Sequence, residues 1–267
     1  MSDQQVQTAV RLRLGLPAYD GSRPDQCWLC NSELDPTNTA DTWHALWCNR
    51  LRRYSPTWRH DRAQNLILRF ARDQDCGARR IPYDEHQLVP DGEIVTPDNT
   101  YLFDVSGIHP GAPSYRNLAP GAALARRQRY KENKYQTHAI NLNAKFTGFA
   151  MDSWGSLSTG ALELVTKIVK DSNSPYAGRI SPLAMSKDSF LTQLSLQWQA
   201  DTATMLRQWL MEMRKHAIRH NIAPPSAEIA TCSDLSDFDA DPNPLTPDFP
   251  SQPSTLSSVP LSQQSST

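Results

Sequence analysis

Four sulfur and imidazole side chains at fixed spacing constrain this chain more than anything else in it. Cys27 and Cys30 are separated by two residues, thirteen residues follow, and His44 and Cys48 are separated by three. Two thiols on a tight knuckle, with an imidazole and a thiol one helical turn away, converge on one tetrahedral ion, because positions i and i+4 share a helix face. Ligand count and spacing are those of a structural Zn²⁺ site, with all four positions filled and none left for catalysis. The competing reading is four unconnected core residues. Such an ion contributes on the order of 10 kcal/mol to a small metallo-domain, enough to hold a segment with little core of its own. Cys76 and Cys232 fall outside the pattern and read as buried or tail thiols.

The 267 residues suit one domain with appendages or two small ones. Seven Trp, eight Tyr and seven Phe can fill a core although only 39% of the chain is hydrophobic. No apolar run reaches the roughly 18 residues a membrane helix needs, and the polar start lacks a secretory pattern. An intracellular protein with no membrane partner and no disulfide framework is expected. Charge is segregated: residues 50–80 hold nine Arg against three Asp, while residues 224–267 hold six acids and no Lys or Arg. The basic stretch is either a polyanion footprint or a solvated helix face. The last 44 residues, with eight Pro and ten Ser, bury too little to offset ordering entropy, so a disordered tail is expected from Pro224.

Periodicity predicts helices over residues 39–53 and 59–73, the second burying Leu66, Ile67 and Phe70 and stopping near Gly77. Residues 11–16 alternate as a short strand or a helix end. Two β-rich runs, Glu93–Val95 and Tyr101–Val105, flank a Pro97-Asp98-Asn99 turn and predict a hairpin. A helix over 119–139, a strand over 146–151 and helices over 157–171 and 187–220 complete a small mixed α/β domain.

That hairpin returns Asp91 and Asp104 to neighbouring positions. Two carboxylates held together repel unless a cation lies between them. They are the ligand type that Mg²⁺-dependent phosphodiester hydrolysis requires. On the following helix Arg127, Lys131 and Lys134 lie four and three apart, on one face with Tyr135 beside them. This is either a source of charge stabilisation for phosphate or a solvated stripe.

Taken in order, Leu12-Arg-Leu-Gly-Leu-Pro17, the Cys-Cys-His-Cys knuckle, Arg59-His60-Asp61, Pro90-Asp91 with Asp104-Val105, His109-Pro110, the Arg127–Tyr135 helix and Gly155-Ser-Leu157 resemble one family. It is the carboxy-terminal region of reverse transcriptases from non-long-terminal-repeat retrotransposons that carry a restriction-like endonuclease. The resemblance covers about residues 10 to 215. It implies a PD-(D/E)XK core, α/β with a mixed sheet flanked by helices, preceded by a small CCHC zinc module. The expected divisions are an upstream polymerase-like remnant over residues 1–22, the knuckle over 23–56, the endonuclease over 57–222 and the acidic tail over 223–267.

The resemblance also implies nuclear DNA nicking that primes reverse transcription at the target, with DNA, element RNA and the polymerase part as partners. Carried over by position, Asp91 and Asp104 bind Mg²⁺ or Mn²⁺, Lys131 is the catalytic lysine, and Lys134 and Tyr135 support it. Arg52, Arg53, Arg59, His60, Arg62 and Arg127 are the nucleic-acid contacts; His60 reads equally as a phosphate contact, a support for its helix or a buried structural histidine. Three departures stand out. Val89 occupies the usual Arg or Lys position before Pro-Asp, Ser106 occupies the usual lysine position after the second acid, and no Tyr/Phe-x-Asp-Asp polymerase signature is present. The alternatives are an inactive remnant that still holds nucleic acid through its knuckle and Arg-rich surface, and a zinc-stabilised protein-interaction module.

Overall fold

Helix α2, Trp58–Asp73, buries Ala63, Ile67, Phe70 and Ala71 on one stripe and leaves Leu66 half-buried. It ends at Asp73, as expected, and the chain turns away at Asp75, two residues short of Gly77. Asp75 takes a left-handed φ of 56°, its N–H donates to the Arg72 carbonyl at 2.9 Å, and the Cys76 N–H donates to the Ala71 carbonyl at 3.0 Å. Asp tolerates this conformation better than most residues. Gly77 is thereby released to open strand β1, Gly77–Arg80, which its polar sequence did not announce.

The computed structural model describes residues 2–14, 16, 26–35, 41–48, 50–51, 58–82, 89–119, 121–172 and 185–220. These belong to the unit Met1–Ala227. The expected tail lies outside the described residues, as do Arg52 and Arg53.

Strands β2, Gly92–Val95, and β3, Thr100–Ile108, form the expected antiparallel hairpin. Its turn is held by the Thr96 N–H on the Asn99 carbonyl at 2.8 Å and the Asn99 N–H on Thr96 Oγ1 at 3.1 Å. Strand β1 pairs antiparallel with the outer side of β2. Helix α3, Ala122–Asn141, then crosses over so that β4, Lys145–Asp152, runs parallel to β3. The result is a four-stranded mixed sheet in the order β1-β2-β3-β4, flanked by helices.

Strand β3 is covered on both faces. Tyr101, Phe103 and Val105 point into the main core with Ile67 and Phe70 of α2, Leu164 and Val165 of α4 (Thr159–Lys170), and Phe190 and Trp198 of α5 (Lys187–Arg219). On the opposite face Ile108 packs with Ala123 and Leu124 of α3. Asp104 shares this α3-facing side, because alternate residues of a strand point the same way.

A second core forms along the carboxy-terminal half of α5. Met205, Leu206, Trp209, Leu210 and Met213 pack there with Leu12, Cys27, Trp43, Cys48 and Leu51. Leu12 comes from helix α1, Asp3–Arg13, so residues 11–13 end a helix rather than form a strand; Ser2 and Gln5 cap its start reciprocally. The helix expected over 39–53 is a short 3₁₀ segment, Asp41–Leu46, broken at Trp43 with φ −108° and ψ 19°. The break lets Trp43 enter this core while His44 turns toward the cysteines.

Candidate functional site

The knuckle and the broken 3₁₀ segment bring the four expected ligands together. Cys27 Sγ, Cys30 Sγ, a His44 ring nitrogen and Cys48 Sγ all lie within 4.8 Å of one another. Cys27 and Cys48 sulfurs are 3.8 Å apart, and Cys30 Sγ is 3.2 Å from His44 Nε2. Two sulfurs each 2.3 Å from a tetrahedral ion stand about 3.8 Å apart, so the cluster is compatible with structural zinc.

Local backbone explains the convergence. Cys30 and Asn31 N–H groups both donate to the Cys27 carbonyl, at 3.2 and 2.6 Å, and Asn31 takes a left-handed φ of 59°. The Cys48 N–H donates to the His44 carbonyl at 2.9 Å, which preserves the one-turn relation although the described residues here form only a short 3₁₀ segment. The Cys27 thiol is pushed up to about 11 by its hydrogen bond with Cys48 and by burial, whereas Cys48 is lowered by the same bond. A divalent cation binds thiolates, so loading the cluster would release the thiol protons.

The acidic pair sits on the sheet. Gly92 pairs with Phe103, and Asp91, immediately ahead of β2, lies alongside Asp104 with its N–H donating to the Phe103 carbonyl at 3.0 Å. Asp91 Oδ2 accepts the Val105 N–H at 2.6 Å, which lays its carboxylate against the Asp104–Val105 peptide. Helix α3 supplies the cation: Lys131 Nζ is 2.5 Å from Asp104 Oδ2, with the two side chains 12% and 6% exposed. That contact is ionic and off the line of a hydrogen bond, since Oδ2 has no hydrogen-bonded partner among the described residues. Tyr135, one turn further on, donates to Asp104 Oδ1 at 2.7 Å and lies 3.1 Å from the Val89 carbonyl. Burial, then the Asp104 carboxylate, holds the Tyr135 phenol firmly protonated.

One residue of this site escaped the sequence, and another, named there as a candidate nucleic-acid contact, meets a carboxylate of the site. Gly148 on β4 pairs with Asp104, and a Cβ there would meet the Gln128 carbonyl oxygen at 2.7 Å, so the missing side chain is what lets α3 approach the sheet. A glycine inside a strand was the available signal. His60 is the other: its Nε2 lies 2.8 Å from Asp91 Oδ2, and its Nδ1 lies 3.2 Å from Asp61 Oδ1. Burial works to lower His60, but its hydrogen bonds and the charges of Asp91 and Asp61 outweigh that and raise it above the ordinary range.

The expected nucleic-acid contacts divide. Arg59 donates to Thr202 Oγ1 at 3.1 Å and stacks 4.4 Å over Trp198. Arg62 pairs with buried Asp201 at 3.1 Å. Both guanidinium groups are therefore engaged with α5. Arg127 lies 5.3 Å over the exposed Tyr130 ring, and its Nε is buried without a hydrogen-bond partner among the described residues. Lys134 is exposed, 5.1 Å over the Tyr135 ring. Ser106 Oγ is buried, also without a partner among the described residues.

Fold and site together define a mixed α/β protein that carries a Cys₃His cluster compatible with zinc and a lysine-backed pair of aspartates. Neither a known family model nor a curated protein matches the chain.

Proposed function

We propose that this chain is a divalent-metal-dependent DNA endonuclease module with a PD-(D/E)XK core, nicking target DNA for a retrotransposon. The observation that carries this reading is the convergence of Asp91, Asp104 and Lys131 on one spot of the sheet. The donor set suits Mg²⁺ or Mn²⁺: two hard carboxylates side by side, with Asp91 Oδ1 lacking a partner among the described residues. When bound, such an ion activates water and offsets charge on the phosphate.

The chain's own groups do the remaining work. Asp91 and Asp104 would hold the ion. Lys131, pinned by Asp104 but still partly accessible, would stabilise negative charge on the phosphate. Tyr135 fixes Asp104 from the other oxygen. The departure at Ser106 is offset by Lys131, which reaches the same acid from α3. The departure at Val89 concerns only a side chain, and the backbone carbonyl of that residue faces Tyr135. In the proposed nuclear role the nick supplies a 3′ hydroxyl to a polymerase carried elsewhere, with element RNA as the other partner.

Zinc-loaded protein is expected to convert supercoiled plasmid to the nicked form with Mg²⁺ or Mn²⁺. Asp91→Asn and Asp104→Asn are expected to abolish nicking while DNA binding persists. Salt-sensitive DNA binding with no metal-dependent nicking by the unmodified chain would instead identify a nucleic-acid-binding remnant.

A further inference from the structure

We propose that His60 is a positioning residue for the metal-holding carboxylate of Asp91, orienting it so that Oδ1 faces the ion; this rests on the nuclease reading above. The contacts form one chain across three elements. Arg80 on β1 lies 3.1 Å from Asp61 Oδ1, Asp61 Oδ1 lies 3.2 Å from His60 Nδ1, and His60 Nε2 lies 2.8 Å from Asp91 Oδ2.

An aspartate beside an open site has two nearly equivalent oxygens and a side chain free to turn. Here both partners of Asp91 fall on the same oxygen: the Val105 N–H at 2.6 Å and the imidazole at 2.8 Å both meet Oδ2. Oδ1 has no partner among the described residues. The carboxylate is thus held from one side and presented on the other, as outer-shell hydrogen bonds orient metal-binding carboxylates generally. Asp61 and Arg80 do for the imidazole what the imidazole does for Asp91. Asp61 fixes the ring plane from Nδ1, and Arg80 fixes Asp61.

A second side chain of α2 ties it to the start of β2. Gln64, one turn after His60 on the same helix face, donates from Nε2 to the Asp91 carbonyl at 2.5 Å. Helix α2 therefore grips Asp91 at both main chain and side chain. The side-chain hydrogen bonds of His60 are to Asp61 and Asp91, so the role assigned to it runs through Asp91.

The test uses full-length, zinc-loaded protein and Mn²⁺ as the probe, with bound ion counted by electron paramagnetic resonance in the absence of DNA. His60→Ala is expected to raise the half-saturating Mn²⁺ concentration ten- to a hundredfold. DNA affinity without added Mn²⁺ is measured beside it, because a His60 that contacts nucleic acid would lose affinity there instead. His60→Gln keeps an N–H donor and is expected to recover most of the loss; it also carries the test should the alanine variant fail to fold. Nicking at saturating DNA should shift in its Mn²⁺ dependence by the same factor. Unchanged Mn²⁺ affinity in His60→Ala, or a loss that appears in DNA affinity instead, overturns the proposal, as does a His60→Gln variant no better than alanine. Asp91→Asn separates the two levels. If it leaves Mn²⁺ binding intact, the metal-site reading falls and takes this one with it; if it abolishes binding that His60→Ala leaves untouched, only the His60 assignment falls.

Discussion

Gly148 lies across the parallel β3–β4 register from Asp104, and a Cβ added to it would come within 3.1 Å of Lys131 Cβ as well as 2.7 Å of the Gln128 carbonyl oxygen. A side chain at this one position would therefore lift α3 at the turn that carries the lysine. Gly148→Val is expected to cost about 1–3 kcal/mol, the usual penalty for overpacking, and to draw Lys131 away from Asp104. Urea unfolding checks the first part, and loss of metal-dependent nicking in protein that remains folded checks the second.

The Asp104–Lys131 pair is almost entirely out of water. Lys131→Met strands a buried carboxylate and is expected to destabilise the fold by about 3 kcal/mol. Adding Asp104→Asn to that variant should restore part of the loss, because the second change removes the uncompensated charge. Urea midpoints of the two single variants and the double variant measure this coupling; strict additivity would argue against the ion pair.

Stripping zinc from zinc-loaded protein is expected to loosen the second core before the first. Trp43 and Trp209 are buried beside the ligands, so their near-ultraviolet circular dichroism reports this packing. A strong chelator, or Cys27→Ser, should flatten that signal while the far-ultraviolet signal of the sheet persists. Simultaneous loss of both signals would show that the two cores do not separate.

Stability should depend on pH through two buried groups of opposite sign. Burial lowers His109 from 6.5 to about 4, with its Nδ1 2.7 Å from Ser153 Oγ. Between these values the unfolded chain binds more protons at this residue than the folded chain, so stability rises with pH across about 4 to 6.5, by up to about 3 kcal/mol. Asp201 opposes it. Burial raises Asp201 from 3.8 to about 6 despite hydrogen bonds from Gln197 and Arg62, so its contribution falls as pH rises through that window. Asp201→Asn should steepen the rise of stability with pH, and His109→Phe should flatten or invert it; melting temperatures at pH 4.5 and 6.5 decide.

What the sequence made legible was local. The cysteine spacing, the turn at Pro97-Asp98-Asn99 and the stripe of Ile67 and Phe70 each depend on neighbours a few residues away, and each corresponds to a feature of the structure. The side-by-side aspartates were readable because a hairpin fixes its own register. Strand β1 was not, since Gly-Ala-Arg-Arg has no apolar alternation and is extended only because β2 offers it a ladder. Residues 39–53 have helical spacing, yet the described segment Asp41–Leu46 is 3₁₀ and is broken at Trp43, which is buried beside the ligand cluster. The basic stretch looked like one surface, but Arg59 and Arg62 bind a helix some 140 residues away, at Thr202 and Asp201. His60 meets Asp91 across 31 residues, a contact that no local pattern encodes.

Helix α5 runs through both cores, with Trp198 in the first and Trp209 in the second. At 1.5 Å per residue these rings enter the helix axis about 16 Å apart. A continuous helix barely stretches, so it works as a ruler. If the proposed nuclease reading holds and the duplex is gripped near the sulfur cluster, lengthening α5 by one turn should shift the nick relative to that grip.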